Sequence, residues 1–240
     1  MQKFKTNEAY LPIMALTYFI MLMFKYCLES WNNDYKESIN SALSIVHIAS
    51  WGWIIYALHI SNNKERVFFV FIVMFFLLNV LIVNIQYSYW MVTAYPLFIF
   101  FSRLDFFSKT KIVFISQTAV LTCFLLLLPF SKELFFIDDR YIRFTGGFGN
   151  PNTLSSILLS YYLSMALFFN RYFNRRKFLF SFFIVVIGML FLYAMYYTYS
   201  RTHIALLMLS MLLFSLPIWG RFIGGKTITV AILVGVAGQI

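Results

Sequence analysis

Two short stretches hold the residues best able to do chemistry. The first, from Asp138 to Ser155, reads DDRYIRFTGGFGNPNTLS. Arg140 and Arg143 lead into Gly146, Gly147 and Gly149, and a helix is predicted to open at Asn150 and Pro151. Asparagine is a good N-cap, and proline suits the first helical position because its missing N–H has no partner there in any case. Glycines just ahead of a helix let backbone amides converge on one point, which the helix dipole makes favourable for an anion. With two guanidiniums added, the chemistry expected is that of a phosphate or carboxylate receiver. The second stretch, Ser200-Arg201-Thr202-His203, supplies a further guanidinium and an imidazole.

The elements that must position these residues are membrane spans. Of the 240 residues, 61% are apolar and only 12% charged, with a mean hydropathy of +0.78, which excludes an ordinary soluble globular chain. The formal net charge of +10 is dispersed among apolar runs, so membrane topology accounts for it and no nucleic-acid partner is expected. The two cysteines, Cys27 and Cys123, have no metal-ligand spacing and read as apolar filler.

Runs long enough to cross a bilayer fall at Leu11–Leu28, Ser41–Ile60, Val67–Ile85, Tyr89–Leu104, Ile112–Phe130, Pro151–Asn170, Phe178–Tyr199 and Ile204–Trp219. A ninth begins near Thr227 and stops at Ile240 after 14 residues, so the chain is expected to be C-terminally incomplete. The fold expected is therefore all-α, a polytopic bundle of eight or nine spans forming one membrane domain over 1–240. Residues 1–130 make the N-terminal spans, and 131–240 hold the outer loop, the motif helix and the Ser-Arg span. With the N-terminus in the cytoplasm, thirteen Lys and Arg fall inside and six outside. The six outside are Lys25, Lys36, Lys132, Arg140, Arg143 and Arg201, which puts both chemical stretches on the external face. An arginine near the bilayer centre costs about 2.5–3.5 kcal/mol on insertion scales, less toward the interface. Arg201 can snorkel to headgroups among Tyr193, Tyr196, Tyr197 and Tyr199. Two basic positions on one face, one of them feeding a glycine-rich helix start, favour a function instead.

Arg143 with GGFGNPN over residues 146–152, followed by Ser200-Arg201 at the outer end of a later span, resembles the O-antigen ligase/polymerase family of bacterial envelopes. The resemblance covers the second half of the chain by motif and the first half only by its pattern of spans. It implies a metal-independent GT-C-type glycosyltransferase of the bacterial cytoplasmic membrane, with no cofactor. The substrate it implies is an undecaprenyl-pyrophosphate-linked oligosaccharide, polymerised externally with release of lipid pyrophosphate. Membrane lipids and other polysaccharide-assembly proteins are the partners implied, and a ligase of the same family is the alternative. On this reading Arg143 and Arg201 hold the diphosphate and stabilise its developing charge. Arg140, Gly146, Gly147, Gly149, Asn150, Asn152 and His203 shape the substrate pocket.

Other candidates carry less. Asp138 and Asp139 are either a general base for the acceptor hydroxyl or a solvated loop. His203 either orients a phosphate, carries a proton, or is a structural polar residue at the interface. His47 and His59 lie in the second span with no partner evident in the sequence. A transporter or flippase for the same lipid-linked sugar is the rival from another class. It calls for charged pairs within the spans, and the sequence shows none.

Overall fold

A computed structural model describes residues 10–30, 36–83, 89–131, 134–138, 141–148, 150–173 and 176–215. The order is α1 (Leu11–Ser30), α2 (Lys36–Ile60), α3 (Asn63–Val83), α4 (Tyr89–Ser102), α5 (Phe106–Leu127), β1 (Phe135–Asp138), β2 (Tyr141–Phe144), α6 (Pro151–Tyr172), α7 (Lys177–Tyr196) and α8 (Arg201–Ser215). Each of the eight expected spans has its helix, and the ninth, from Thr227, lies outside the described residues. Among the described residues six helices, all but α4 and α8, are long and apolar enough to cross a membrane, the mark of a multi-pass membrane protein. The helix α4 is short and carries Pro96 in its interior, where the missing N–H interrupts the hydrogen-bond ladder.

The fold is mostly helical but not all-α. Residues expected to form a plain loop pair as an antiparallel hairpin in the register Phe135↔Phe144, Phe136↔Arg143, Ile137↔Ile142 and Asp138↔Tyr141. Aromatic and β-branched residues flanking Asp138-Asp139-Arg140 favour strands, a signal obscured by the longer apolar runs on either side.

Among the described residues the buried core falls into three clusters. One joins α1, α2 and α4 around Tyr18, Tyr95 and Phe100. A second joins α6, α7 and α8 around Tyr162, Ile184, Met195 and Leu207. Between them a third, with Cys27, Val120, Phe124, Phe148 and Ile157, ties α1 and α5 to the glycine turn and α6. Gly188 lets α8 approach α7 closely, since a Cβ there would stand 2.6 Å from Met211.

Turns alternate between the two ends of the bundle. At one end Asn62 and Glu65 form a reciprocal capping box for α3, with N–H to side-chain oxygen distances of 2.8 and 3.0 Å. Arg103, after α4, reaches across to pair with Glu65 at 3.0 Å and donates to the Ile60 carbonyl at 2.8 Å. The start of α5 and the close of α6 meet at this end too, where Phe107 stacks on Phe168 and the Arg171 guanidinium lies 4.2 Å from the Phe107 ring centroid. The opposite end gathers the hairpin, the start of α6 and the α7–α8 turn.

The expectation that the spans lack paired charges is corrected at one place. Lys25, 1% exposed, pairs with Glu29 at 3.5 Å along α1, and His47 of α2 approaches the same carboxylate at 3.8 Å. An i, i+4 ion pair hides in an apolar sequence because its members are one helical turn apart. Both lie in the closing turns of α1 rather than at its middle.

Candidate functional site

The start of α6 forms as its residues dictate. Asn150 has extended backbone angles, φ −127° and ψ 120°, and its side chain accepts from the Asn152 N–H at 2.8 Å, with Pro151 at the first helical position. Ahead of it Gly146 (φ +60°) and Gly147 (φ +85°) take the left-handed conformation. Gly146 also lies under Leu154, where a Cβ would come within 3.2 Å of a side-chain methyl.

Two amides of the expected cradle, those of Gly147 and Phe148, are taken up within the loop itself. The Gly147 N–H donates to Thr145 Oγ1 at 3.2 Å and the Phe148 N–H to the Thr145 carbonyl at 3.2 Å. The Asn150 N–H donates to the Phe148 carbonyl and the Thr153 N–H to the Asn150 carbonyl. Gly146 and Gly147 are themselves buried. Their role is to close a tight turn that buries Phe148 against Phe124, ring centroids 5.2 Å apart, and so fixes where α6 begins.

Arg143 reaches the site from β2. The strand hangs on the α7–α8 turn through the Phe144 N–H, which donates to the Tyr197 carbonyl at 2.8 Å. Arg143 Nε then donates to the Thr198 carbonyl at 2.9 Å and Nη2 to Asn152 Oδ1 at 3.2 Å. Both acceptors are neutral, so among the described residues the guanidinium is oriented without its charge being cancelled. The next turn of the network is buried: Ser155 and Thr198 share a hydroxyl–hydroxyl bond of 2.6 Å, and Thr198 is completely enclosed.

Three residues beyond Thr198, Arg201 opens α8 and is exposed, with no protein partner among the described residues. A cation at a helix N-terminus opposes the dipole, by about 0.3–1 kcal/mol at a surface, so helix stability does not explain it. The turn that delivers it is strained, because Tyr199 has φ +53°, a left-handed conformation uncommon for a bulky side chain. His203 lies one residue past Thr202, half-buried between two hydroxyls: Nε2 is 2.7 Å from Ser156 Oγ and Nδ1 is 2.5 Å from Ser200 Oγ.

No family model, no curated protein and no solved structure matches this chain.

The predicted residues Arg143, Asn150, Asn152, Arg201 and His203 thus gather around the start of α6 and the α7–α8 turn, with Gly146 and Gly147 shaping the approach. Arg140, Asp139 and Gly149 lie outside the described residues, as does the side chain of Asp138. Sequence reasoning missed Ser155, Ser156 and Thr198. The spacing of Asn152, Ser155 and Ser156 at i, i+3 and i+4 does mark a polar face on an apolar helix, and is the signal that pointed to them.

Alternation along β2 separates this polar cluster from an apolar cavity of about 610 Å³. Phe144 and Phe135 line the cavity from the hairpin, Gly146 and Phe148 from the glycine turn, and Leu154 and Tyr161 from α6. At 100° per residue, Leu154 and Leu158 point away from Asn152 and Ser156, so α6 presents its polar face to the arginines and its apolar face to the cavity.

Proposed function

We propose that the chain is a glycosyltransferase of the O-antigen ligase/polymerase kind. It polymerises undecaprenyl-pyrophosphate-linked oligosaccharide units at the external face of a bacterial cytoplasmic membrane and releases the lipid pyrophosphate. In this reading the bundle is GT-C-like, with eight or nine spans and the N-terminus in the cytoplasm, as the distribution of Lys and Arg requires. The hairpin end of the bundle is then external.

The observation that carries the proposal is that one turn holds two arginines with no carboxylate partner among the described residues: Arg143, oriented by Thr198 and Asn152, and Arg201, three residues after Thr198. A diphosphate leaving an anomeric carbon gathers negative charge. Fixed guanidiniums stabilise that charge without a metal. The apolar cavity behind β2 suits a stretch of isoprenoid chain beside such a headgroup.

The test replaces Arg143 and Arg201 singly with alanine in cells that depend on the gene. Chain length and yield of the surface polysaccharide are read together with retention of tritiated undecaprenyl pyrophosphate by the purified proteins. Each substitution is expected to lower polymer yield on the order of 100-fold. Unchanged length and yield in both variants would overturn the reading. An accumulation of single lipid-linked units on the cytoplasmic side after deletion would point to a flippase instead.

A further inference from the structure

The proposed transfer needs a group to take the proton of the attacking hydroxyl, and neither arginine can do so, since a guanidinium stays protonated. The described residues contain one basic side chain beside the arginines that is built for the task. His203 is held at both ring nitrogens by hydroxyls from two different elements, Ser156 on α6 and Ser200 ahead of α8. A nucleophile or acid–base group, a base, and a third group orienting that base is the arrangement in which hydroxyl protons are moved.

The surroundings keep this imidazole neutral. Its hydrogen-bond partners are uncharged hydroxyls, and no carboxylate contacts it among the described residues. An imidazolium there would have no counter-ion among the described residues, so the half-buried ring has a lone pair to offer. The two bonds fit either tautomer. In the productive one the Nδ1–H donates to Ser200 Oγ and the Nε2 lone pair faces the Ser156 hydroxyl.

We propose that Ser156 and His203 form the proton relay of the transfer. Resting on the function proposed above, the step runs as follows. The acceptor hydroxyl oxygen bonds to the anomeric carbon of the donor as the bond from that carbon to the pyrophosphate oxygen breaks. The bonding pair leaves with the pyrophosphate, toward Arg143 and Arg201. The acceptor's proton passes to Ser156 Oγ while the Ser156 proton passes to His203 Nε2, leaving an imidazolium that later returns its proton to water. Ser156 touches the acceptor and is the catalytic residue here. His203 holds the proton, and Ser200 fixes the ring.

The informative variant is His203→Gln, because an amide can still donate and accept toward Ser156 and Ser200 but cannot take up a proton. Wild type, His203→Gln, His203→Ala and Ser156→Ala are compared for binding of tritiated undecaprenyl pyrophosphate by the purified full chain and for polymer yield in cells. His203→Gln is expected to bind the probe within about twofold of wild type and lose on the order of 100-fold in yield. Polymer yield from His203→Ala is expected to recover in membranes supplied with imidazole, which a purely structural histidine would not allow. Yield retained within about threefold in His203→Gln would overturn the relay while leaving the arginine site intact. If wild type itself neither binds the probe nor supports polymer, the function proposed above fails and the relay with it.

Discussion

The two ends of the bundle both carry arginines and use them in opposite ways. At one end Arg103 is matched to a carboxylate, Glu65, at 3.0 Å and spends its other donors on the carbonyls of Ile60 and Ile99. Arg66 beside it donates to the Leu58 and His59 carbonyls. These guanidiniums are neutralised or bound into turns, and their work is to fasten α2, α3 and α4 together. At the hairpin end, among the described residues, Arg143 meets only neutral oxygens and Arg201 has no partner. An arginine that has found its carboxylate is structural. One that is aimed but left uncompensated has its charge available for a ligand.

That contrast can be broken most sharply by exchanging the outcomes of two substitutions. Arg103→Ala is expected to reduce stability by about 2 kcal/mol, since charge-assisted hydrogen bonds are lost, while polymer yield per folded molecule is kept. Arg201→Ala is expected to leave the melting temperature in detergent unchanged and to lower yield on the order of 100-fold. If Arg103→Ala lost activity without losing stability, the division between the two ends would be mistaken.

A smaller effect sharpens the role of the glycine turn. Gly146→Ala must hold a left-handed φ of +60° and push Leu154 from a 3.2 Å approach, and is expected to destabilise by about 1–2 kcal/mol. Binding of undecaprenyl pyrophosphate should fall only in step with the folded fraction, because the Gly147 and Phe148 amides already have acceptors within the loop. A selective loss of binding with the fold intact would restore the amide cradle.

The smallest effect belongs to the opposite end. Asp105 caps α5, accepting from the Phe107 and Ser108 N–H groups at 3.0 and 3.2 Å and from the Ser108 hydroxyl. These donors, the Ser108 hydroxyl first, hold its carboxyl below the usual carboxylate range. A carboxyl lowered on folding contributes stability above its unfolded pKa and loses it as pH falls through the folded value. Asp105→Ala is therefore expected to cost about 1 kcal/mol or less at neutral pH. Its melting curve should merge with that of wild type on acidification below the carboxylate range. A gap that persisted in acid would mean that packing, not the ionised cap, carries the effect.

How far the site could be read in advance follows residue by residue. The capping of α6 by Asn150 and Pro151 was legible because a cap is made by neighbours in sequence. Arg143 and Arg201 could be singled out by type and by their place at the rim of apolar runs. The hairpin was not legible, because its four-residue strands are shorter than the apolar runs around them and depend on the Phe144 N–H meeting Tyr197 far along the chain. Nor was the purpose of Gly146 and Gly147, which serves the packing of Leu154 and Phe148 rather than an open anion cradle.

The sequence by itself determined eight helices, their approximate ends and a membrane-spanning character, because apolar length and end-capping are local properties of a chain. Tertiary structure decided the rest of the site: Arg143 bonded to a carbonyl 55 residues away, and His203 set against a serine 47 residues away. Contacts at that separation depend on how helices pack, so no short stretch of sequence encodes them.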